Sequence, residues 1–428
     1  MKTAGIIAEY NPFHNGHAYQ LQYTREVLGA DFIVVAMSGD FVQRGTPALL
    51  PKHIRTEMAL KGGADLILEL PASISCASAE FFASGGINLL DSLGVIDFLS
   101  FGSEHDAMPL FLEAAKILTD EPEDFRLKLQ NALKCGNSFP AARNQALLSY
   151  FSAHRNADSF PLPENFFASP NNILGIEYCK AIYKQKSSIT PTAILRRGAG
   201  YHDTTLTDQT FPSASGIRRH LLSSLDTDQL KNTASSENAE NLPADSFQNW
   251  IPEASLPVFM EALKNCGMIS ENNLDLLLHY RLLSETYASL MTYQDVSPEL
   301  ARRIVNCRNQ YQGFSQFTSL LKTRELTQTR IQRALLHILL EIRTIPERIP
   351  YARILGFRRS AGPLLKAIKE NSRIPVLTKL ADAPKTLDSE ALTLLEETTF
   401  ASNLYESLIQ NQRNGVFHHE YTKPVVIL

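Results

Sequence analysis

Several things that would place a protein in a narrow class are missing from this sequence. There are only five cysteines in 428 residues (Cys76, Cys135, Cys179, Cys266 and Cys307), scattered, odd in number and without a C-x-x-C pair. That excludes a disulfide frame and a zinc-ribbon spacing, and it fits reduced thiols in a cytoplasm. No window of about 18 uncharged apolar residues occurs, so no membrane span is expected. Lys2 is followed by only six apolar or small residues before Glu9, too few for the apolar core of a secretory signal. There is no P-loop and no G-x-S-x-G elbow. Gly62-Gly63 and Gly85-Gly86 read as turns, not as a dinucleotide fingerprint. No internal repeat is evident.

What remains is an ordinary globular composition, 44% hydrophobic and 20% charged. The length suggests two or three domains. Four short apolar runs, Thr3–Ala8, Asp31–Met37, Asp65–Leu70 and Asp97–Phe101, read as buried parallel strands. Each precedes a helix-like segment: Ala18–Leu28, Lys52–Lys61, Ala77–Leu93 and Pro109–Leu118. This alternation predicts a doubly wound, Rossmann-like α/β domain over 1–222, with a helical insertion near 105–165. A helix to about Lys184, a strand over Thr192–Arg196 and a helix from near Gly216 complete it. Residues 223–249, rich in Asp, Glu, Asn and Ser, read as a linker or mobile loop. From 250 to 428 the pattern is mostly helical; Ile331, Ala334, Leu335, Ile338 and Leu339 share one face. Pro424–Leu428 is an apolar tail suited to an edge strand.

In open α/β sheets, ligands collect beyond the carboxyl ends of the strands. The first such turn reads Ala8-Glu9-Tyr10-Asn11-Pro12-Phe13-His14-Asn15-Gly16-His17. His14-x-Gly16-His17 therefore sits where a strand gives way to a helix, the place where free N–H groups and the helix dipole favour a phosphate. Two imidazoles there can donate to the oxygens of an α-phosphate as bonds break and form, which points to nucleotidyl chemistry. Gly16 allows close approach of the backbone. Pro12 sets the turn, Phe13 packs beneath it, and Asn11 is a cap or a ligand contact. Ser213, Ser215 and Arg218, at the start of a later helix, offer hydroxyls and one cation suited to β- and γ-phosphates. Arg196 and Arg197 end a predicted strand and are further phosphate candidates. Gly102 can admit an adenine or ribose close to the backbone, and Asn171 and Asn172 read as a helix cap.

The charge is unevenly placed. Residues 301–380 hold sixteen Lys or Arg and four Glu, although the chain as a whole carries −4. Lys322, Arg324, Arg330, Arg333, Arg358 and Arg359 are the candidate footprint for a polyanion, with a solvated helical face as the plainer alternative.

These residues resemble the HIGH-type nucleotidyltransferases and, more narrowly, the bacterial tRNA(Met) cytidine acetate ligases. Beyond the first turn, the likeness rests on Met37-Ser38-Gly39-Asp40-Phe41-Val42-Gln43-Arg44-Gly45, on Ala64 to Pro71 and on Phe101-Gly102-Ser103-Glu104. It continues in Ser169 to Tyr178, Arg197-Gly198 through Asp203, Ser213 to Arg218, Leu321-Lys322-Thr323-Arg324 and Leu355-Gly356-Phe357. The resemblance implies activation of acetate by ATP to acetyl-adenylate, then transfer of the acetyl group to N4 of the wobble cytidine of elongator tRNA(Met) in the cytoplasm. It implies an ATP segment of Ile7, Ala8, Glu9, Tyr10, Asn11, Pro12, Phe13, His14, Asn15, Gly16, His17, Ala18, Tyr19 and Gln20, completed by Gly102, Asn171, Arg196 and Arg197. Mg is a candidate companion of the nucleotide, and the 250–428 half becomes the tRNA-binding domain. Two positions depart from the family pattern: Asp40 stands where Asn is common, and Arg197 where an apolar residue is frequent. The alternatives are a small-molecule adenylyltransferase, which has no need of so basic a second half, and an RNA-binding protein with a vestigial ATP site, which has no need of an intact H-x-G-H.

Overall fold

The computed structural model describes residues 1–154, 160–196, 213–229 and 245–428. The strands, in chain order, are β1 (Thr3–Ala8), β2 (Phe32–Ser38), β3 (Phe41–Val42), β4 (Thr46–Pro47), β5 (Leu66–Leu70), β6 (Phe98–Ser103), β7 (Thr190–Leu195), β8 (Ala352–Phe357), β9 (Val376–Leu377) and β10 (Val426–Ile427). Eight of them form one sheet in the order β10-β8-β5-β2-β1-β6-β7, with β9 paired to β8; β3 and β4 make a separate hairpin. All pairs in the large sheet are parallel except β5 with β8. The four predicted strands of the first hundred residues and the later strand near Thr192 are present, each within two or three residues of its expected ends.

The sheet is covered on both sides, which is why β1 and β2 are apolar nearly throughout. Alternation along β1 sends Ile6 into one core and Ile7 into the other. The Ile6 side is covered by α1 (Asn15–Glu26) and α2 (Lys52–Lys61). The Ile7 side is covered by the helices Ala79–Ser92, Met108–Asp120 and Pro170–Gln185. The chain runs from β1 to β2 to β5 on one side, then crosses back to place β6 on the other side of β1. The crevice at the carboxyl ends of β1 and β6 is thus the switch point of the sheet, where such folds hold their ligands.

The second half is helical in the main, and the expected face of helix Gln328–Leu339 is buried throughout. It is not wholly helical, however. β8 and β10 come from this half and extend the same sheet, so a boundary at 222–250 is not a boundary of the sheet. The mostly helical expectation for 250–428 fails at Ala352–Phe357, which is a strand. In the fold Arg353 is buried, bonded to Glu69 at 2.6 Å and to Glu420 at 2.5 Å. Lys52, also buried, lies 2.5 Å from Glu69, 2.9 Å from Glu420 and 3.6 Å from Asp40, and donates to Ser402. This network ties α2, β5, β8, the long helix Ser389–Arg413 and the C-terminal segment together. Asp40, the departure noted above, belongs to it and also accepts from the main-chain N–H of Lys52. The tail strand expected within Pro424–Leu428 is β10 at the sheet edge. Of the expected linker, the described parts are helical to Gln229 and again from Asp245; residues 230–244 lie outside the described residues.

Candidate active site

His14 is the N-cap of α1 and has extended backbone angles. Its Nδ1 accepts the Gly16 main-chain N–H at 3.0 Å, and His17 Nδ1 accepts the His14 main-chain N–H at 3.3 Å. The two histidines thus form a capping box with each other. Because each Nδ1 faces an N–H donor, the proton of each neutral ring stands on Nε2. The rings stack at 3.7 Å, and Tyr10 sets its edge against His17 at 4.8 Å. Phe13 supports Tyr10 from below, its own ring against Gly62. Burial, together with the cations of Arg196 and Arg218, pushes the His14 imidazole down to about 3. His17 is pushed well below its ordinary value by burial, by His14 and by Arg196. Both are therefore neutral N–H donors at physiological pH, not cations.

The two imidazoles open onto a cleft of about 210 Å³. Of the predicted segment, Ile7, Ala8, Glu9, Tyr10, Asn11, His14, His17 and Gln20 line it, and the spacing of three from Asn11 to Gln20 follows one face of α1 and its entry turn. Pro12, Phe13, Asn15, Gly16, Ala18 and Tyr19 do not. Asn15 instead holds the 248–250 turn: its main-chain N–H donates to Trp250 O at 2.8 Å and its side chain to Asn249 O at 2.9 Å. The Gly16 N–H is likewise committed, to His14, so the helix N-terminus offers its charge through the histidines rather than through these bare amides.

Across the cleft, Ser213, Ser215 and Arg218 are brought to α1 as the sequence suggested. Ser213 Oγ caps the helix Ala214–Gln229 by accepting from Gly216 N–H at 3.1 Å. Arg218 donates to the main-chain oxygen of Asn11 and to Ser215 Oγ. Asn11 Oδ1 accepts from Leu49 N–H, while its Nδ2 is buried with no protein partner. Arg55, fully buried, donates to the main-chain oxygens of Glu9, Ser38, Gly39 and Leu50 and so fixes the loops that leave β1 and β2.

On the β6–β7 side, Gly102, Asn171 and Arg196 meet. A Cβ on Gly102 would lie 3.3 Å from the Arg196 side chain, so that side chain crosses the bare backbone. Arg196 reaches Asn171 Oδ1 at 3.4 Å. Glu104 accepts from the main-chain N–H groups of Asn171 and Asn172 and from Asn171 Nδ2, so this carboxylate already caps the helix Pro170–Gln185. Asn172 is buried and structural, bonded to Phe166 O and to the Glu104 N–H. Arg197 lies outside the described residues.

Phe82, Phe101, Pro170, Leu174 and Tyr178, which the sequence did not single out, line the cleft, as do Gln43 and Arg44 from the polar run Ser38 to Arg44 that the strand-end rule makes a candidate. Gln43 and Arg44 follow β2, where strand ends direct attention. The aromatic floor gives no such signal, because a buried ring in a ligand cleft and one in a core look alike in sequence. Gly45, at φ +78°, closes the β3–β4 turn that carries Arg44. Its missing Cβ leaves room for the backbone of Gln332 and Arg333, 2.4 Å from where that atom would stand. The helix Gln328–Leu339 is therefore seated against the cleft hairpin.

The candidate RNA-facing residues divide. Lys322 and Arg324 are exposed on the loop before that helix, with Arg324 reaching Asn137 of the insertion at 3.4 Å, and Arg330 stands at its start. Arg333 is paired with Asp295 at 2.9 Å. Arg358 and Arg359 are elsewhere. Because β8 runs antiparallel to β5, its end lies at the start of β5, with Phe357 opposite Leu66. Both arginines thus sit at the far edge of the sheet, about 20 Å of strand from the cleft. Arg358 donates to Leu60 O, and the Arg359 N–H to Leu428 O. The pair expected to meet the polyanion is thus set apart from Lys322, Arg324 and Arg330, at the opposite end of the strands from the cleft.

The comparisons with known proteins bear on this geometry. A family model described as HIGH Nucleotidyl Transferase matches residues 1–419. A tRNA(Met) cytidine acetate ligase from Acetivibrio thermocellus is 36% identical over 436 residues, covering all of both chains. One from Clostridium tetani is 38% identical over 402 residues, 91% of this chain and 92% of that one. Among solved structures, Thermotoga maritima TmcAL in an apo form superposes with a TM-score of 0.88, and TmcAL bound with alpha-thio ATP with 0.85. Both are 28% identical and cover the whole of each chain.

Proposed function

The chain belongs to the HIGH nucleotidyl transferase family, and on that footing we propose that it is a tRNA(Met) cytidine acetate ligase: it joins acetate to AMP at the expense of ATP and passes the acetyl group to N4 of the wobble cytidine of elongator tRNA(Met). The observation that carries the reading is the pair of stacked, neutral imidazoles at the start of α1, flanked by Arg196 and Arg218. Attack on an α-phosphate builds charge on its oxygens, and preorganised N–H donors in a desolvated site stabilise that charge. His14 and His17 present Nε2–H for that purpose. Ser213, Ser215 and Arg218 take the departing phosphates; Gly102, Asn171 and Arg196 take the nucleoside. TmcAL, with the same fold, is known with an ATP analogue bound.

Among the described residues no group of three His, Cys, Asp or Glu side chains is placed to hold a metal ion. Mg in this reading travels on the phosphates of ATP. No helix among the described residues is long and apolar enough to cross a membrane. For the RNA, we assign the Lys322, Arg324 and Arg330 surface, next to the helix that seats the cleft hairpin. Mass spectrometry of tRNA(Met) incubated with the protein, ATP and isotope-labelled acetate tests the whole reading. Label on the wobble cytidine is the expected result. Pyrophosphate exchange that proceeds equally without acetate sinks it in favour of another nucleotidyl acceptor.

A further inference from the structure

An in-line displacement at phosphorus puts the entering and leaving oxygens on opposite sides. In this cleft the two sides are chemically unlike. The helix of Ser213, Ser215 and Arg218 belongs to the core on the Ile6 face of the sheet, through Ile217 and Leu221. That side has the hydroxyls and the cation and suits pyrophosphate. The opposite side belongs to the core on the Ile7 face, where Ile7, Phe82 and Tyr178 line the cleft. Gly102, Asn171 and Arg196 lie to one flank, over β6 and β7, and account for the nucleoside.

We propose that the apolar end of the cleft formed by Ile7, Phe82, Leu174 and Tyr178 is the acyl subsite, and that Phe82 and Leu174 close it around a two-carbon acid. The proposal rests on the ligase reading above and deepens it. Helix Pro170–Gln185 descends into the cleft from Asn171 at the rim through Leu174 to Tyr178, one helical face running from polar to apolar. Phe82 faces it from helix Ala79–Ser92 and is 2% exposed. Ile7 packs on Gly86 of that same helix, where a Cβ would lie 2.6 Å from its Cδ1, so the wall cannot recede there. The Tyr178 ring is braced edge-on by Phe101 at 5.8 Å, and Phe101 packs on Gly175, where a Cβ would be 2.6 Å from the ring. These contacts make a rigid end with little spare space. A methyl group seated there leaves its carboxylate directed at the imidazoles. A carboxylate oxygen then attacks the α-phosphorus, the bond to the β-phosphate oxygen breaks, and pyrophosphate leaves with the electron pair on the Ser213–Arg218 side. No proton or further reactant is needed.

The test is ATP–pyrophosphate exchange driven by acetate, propionate or butyrate, in wild type, Phe82→Ala and Leu174→Ala. One methylene in an apolar pocket is worth about 10- to 200-fold in kcat/KM. Phe82→Ala is expected to move the propionate-to-acetate ratio toward propionate by at least about tenfold, with KM for ATP little changed. Leu174→Ala enlarges the same end from the other helix, moves the ratio in the same direction, and decides the matter should the Phe82 variant fail to fold. A ratio unchanged in a folded variant overturns the assignment. So does a raised KM for ATP with the ratio intact, which would place the base there instead. Wild-type exchange that ignores every carboxylic acid refutes the ligase reading itself, a separate outcome.

Discussion

His17 accepts the main-chain N–H of His14 through Nδ1 at 3.3 Å, while the two imidazoles stack at 3.7 Å. One hydrogen bond thus closes the first turn of α1 and fixes which nitrogen of His17 carries the proton. The helix cap and the proposed donor are two nitrogens of the same ring, so the site cannot loosen without fraying the helix.

His14→Ala and His17→Ala are expected to lower acetate-driven pyrophosphate exchange by about 10²–10³ each, the cost of one preorganised donor. His14→Asn keeps an N-cap acceptor and recovers most of the roughly 1 kcal/mol of cap stability without the rate. Exchange assays beside thermal melts separate the two. A full rate in His17→Ala would remove the imidazole from the chemistry.

The depressed imidazole of His14 has a pH consequence. The unfolded chain takes up its proton near the ordinary value of about 6.5, whereas the folded site resists protonation down to about 3. Between these values the unfolded state binds more protons, so stability rises with pH. The contribution is complete above about pH 6.5 and is lost as pH falls toward 3. Melting temperature measured from pH 7 to pH 4 is expected to fall, and to fall less steeply in His14→Gln. Equal slopes would show that other groups govern acid loss.

Lys52→Met leaves Glu69 and Glu420 buried beside one cation fewer. Breaking a buried pair in this way is expected to cost about 3–5 kcal/mol in urea unfolding. Adding Glu69→Leu to the same chain is expected to recover part of that loss, because the stranded charge goes with it. A Lys52→Met variant as stable as wild type would show the network to be energetically idle.

Charge reversal at Lys322, Arg324 and Arg330 is expected to weaken tRNA binding and flatten its salt dependence by about 0.7–0.9 in log–log slope for each phosphate no longer neutralised. Acetyl-adenylate formation is expected to persist. Arg359→Glu, at the far sheet edge, is expected to leave affinity unchanged. Filter binding across a salt series reads both. Weakened binding on Arg359→Glu alone would move the RNA to the other side of the molecule.

The local pattern was enough for the centre of the fold. Apolar runs bounded by polar turns located β1, β2, β5 and β6, and an H-x-G-H directly after β1 marked the turn that opens onto the cleft, because strand burial and helix capping act over a few neighbouring residues. Those residues also placed the two histidines correctly at the start of α1. Pairing over long separations was decided only in three dimensions. Arg353 belongs to the basic 301–380 stretch, and its partners Glu69 and Glu420 are 284 and 67 positions away; their carboxylates are what allow it to enter the sheet. Nothing local says that β8 runs antiparallel to β5, which sets Arg358 and Arg359 at the opposite end of the strands from the cleft. The acyl end of the cleft was hidden for the same reason: Phe82, Leu174 and Tyr178 are apolar residues of two separate helices, and only their convergence over Ile7 distinguishes a substrate wall from a core.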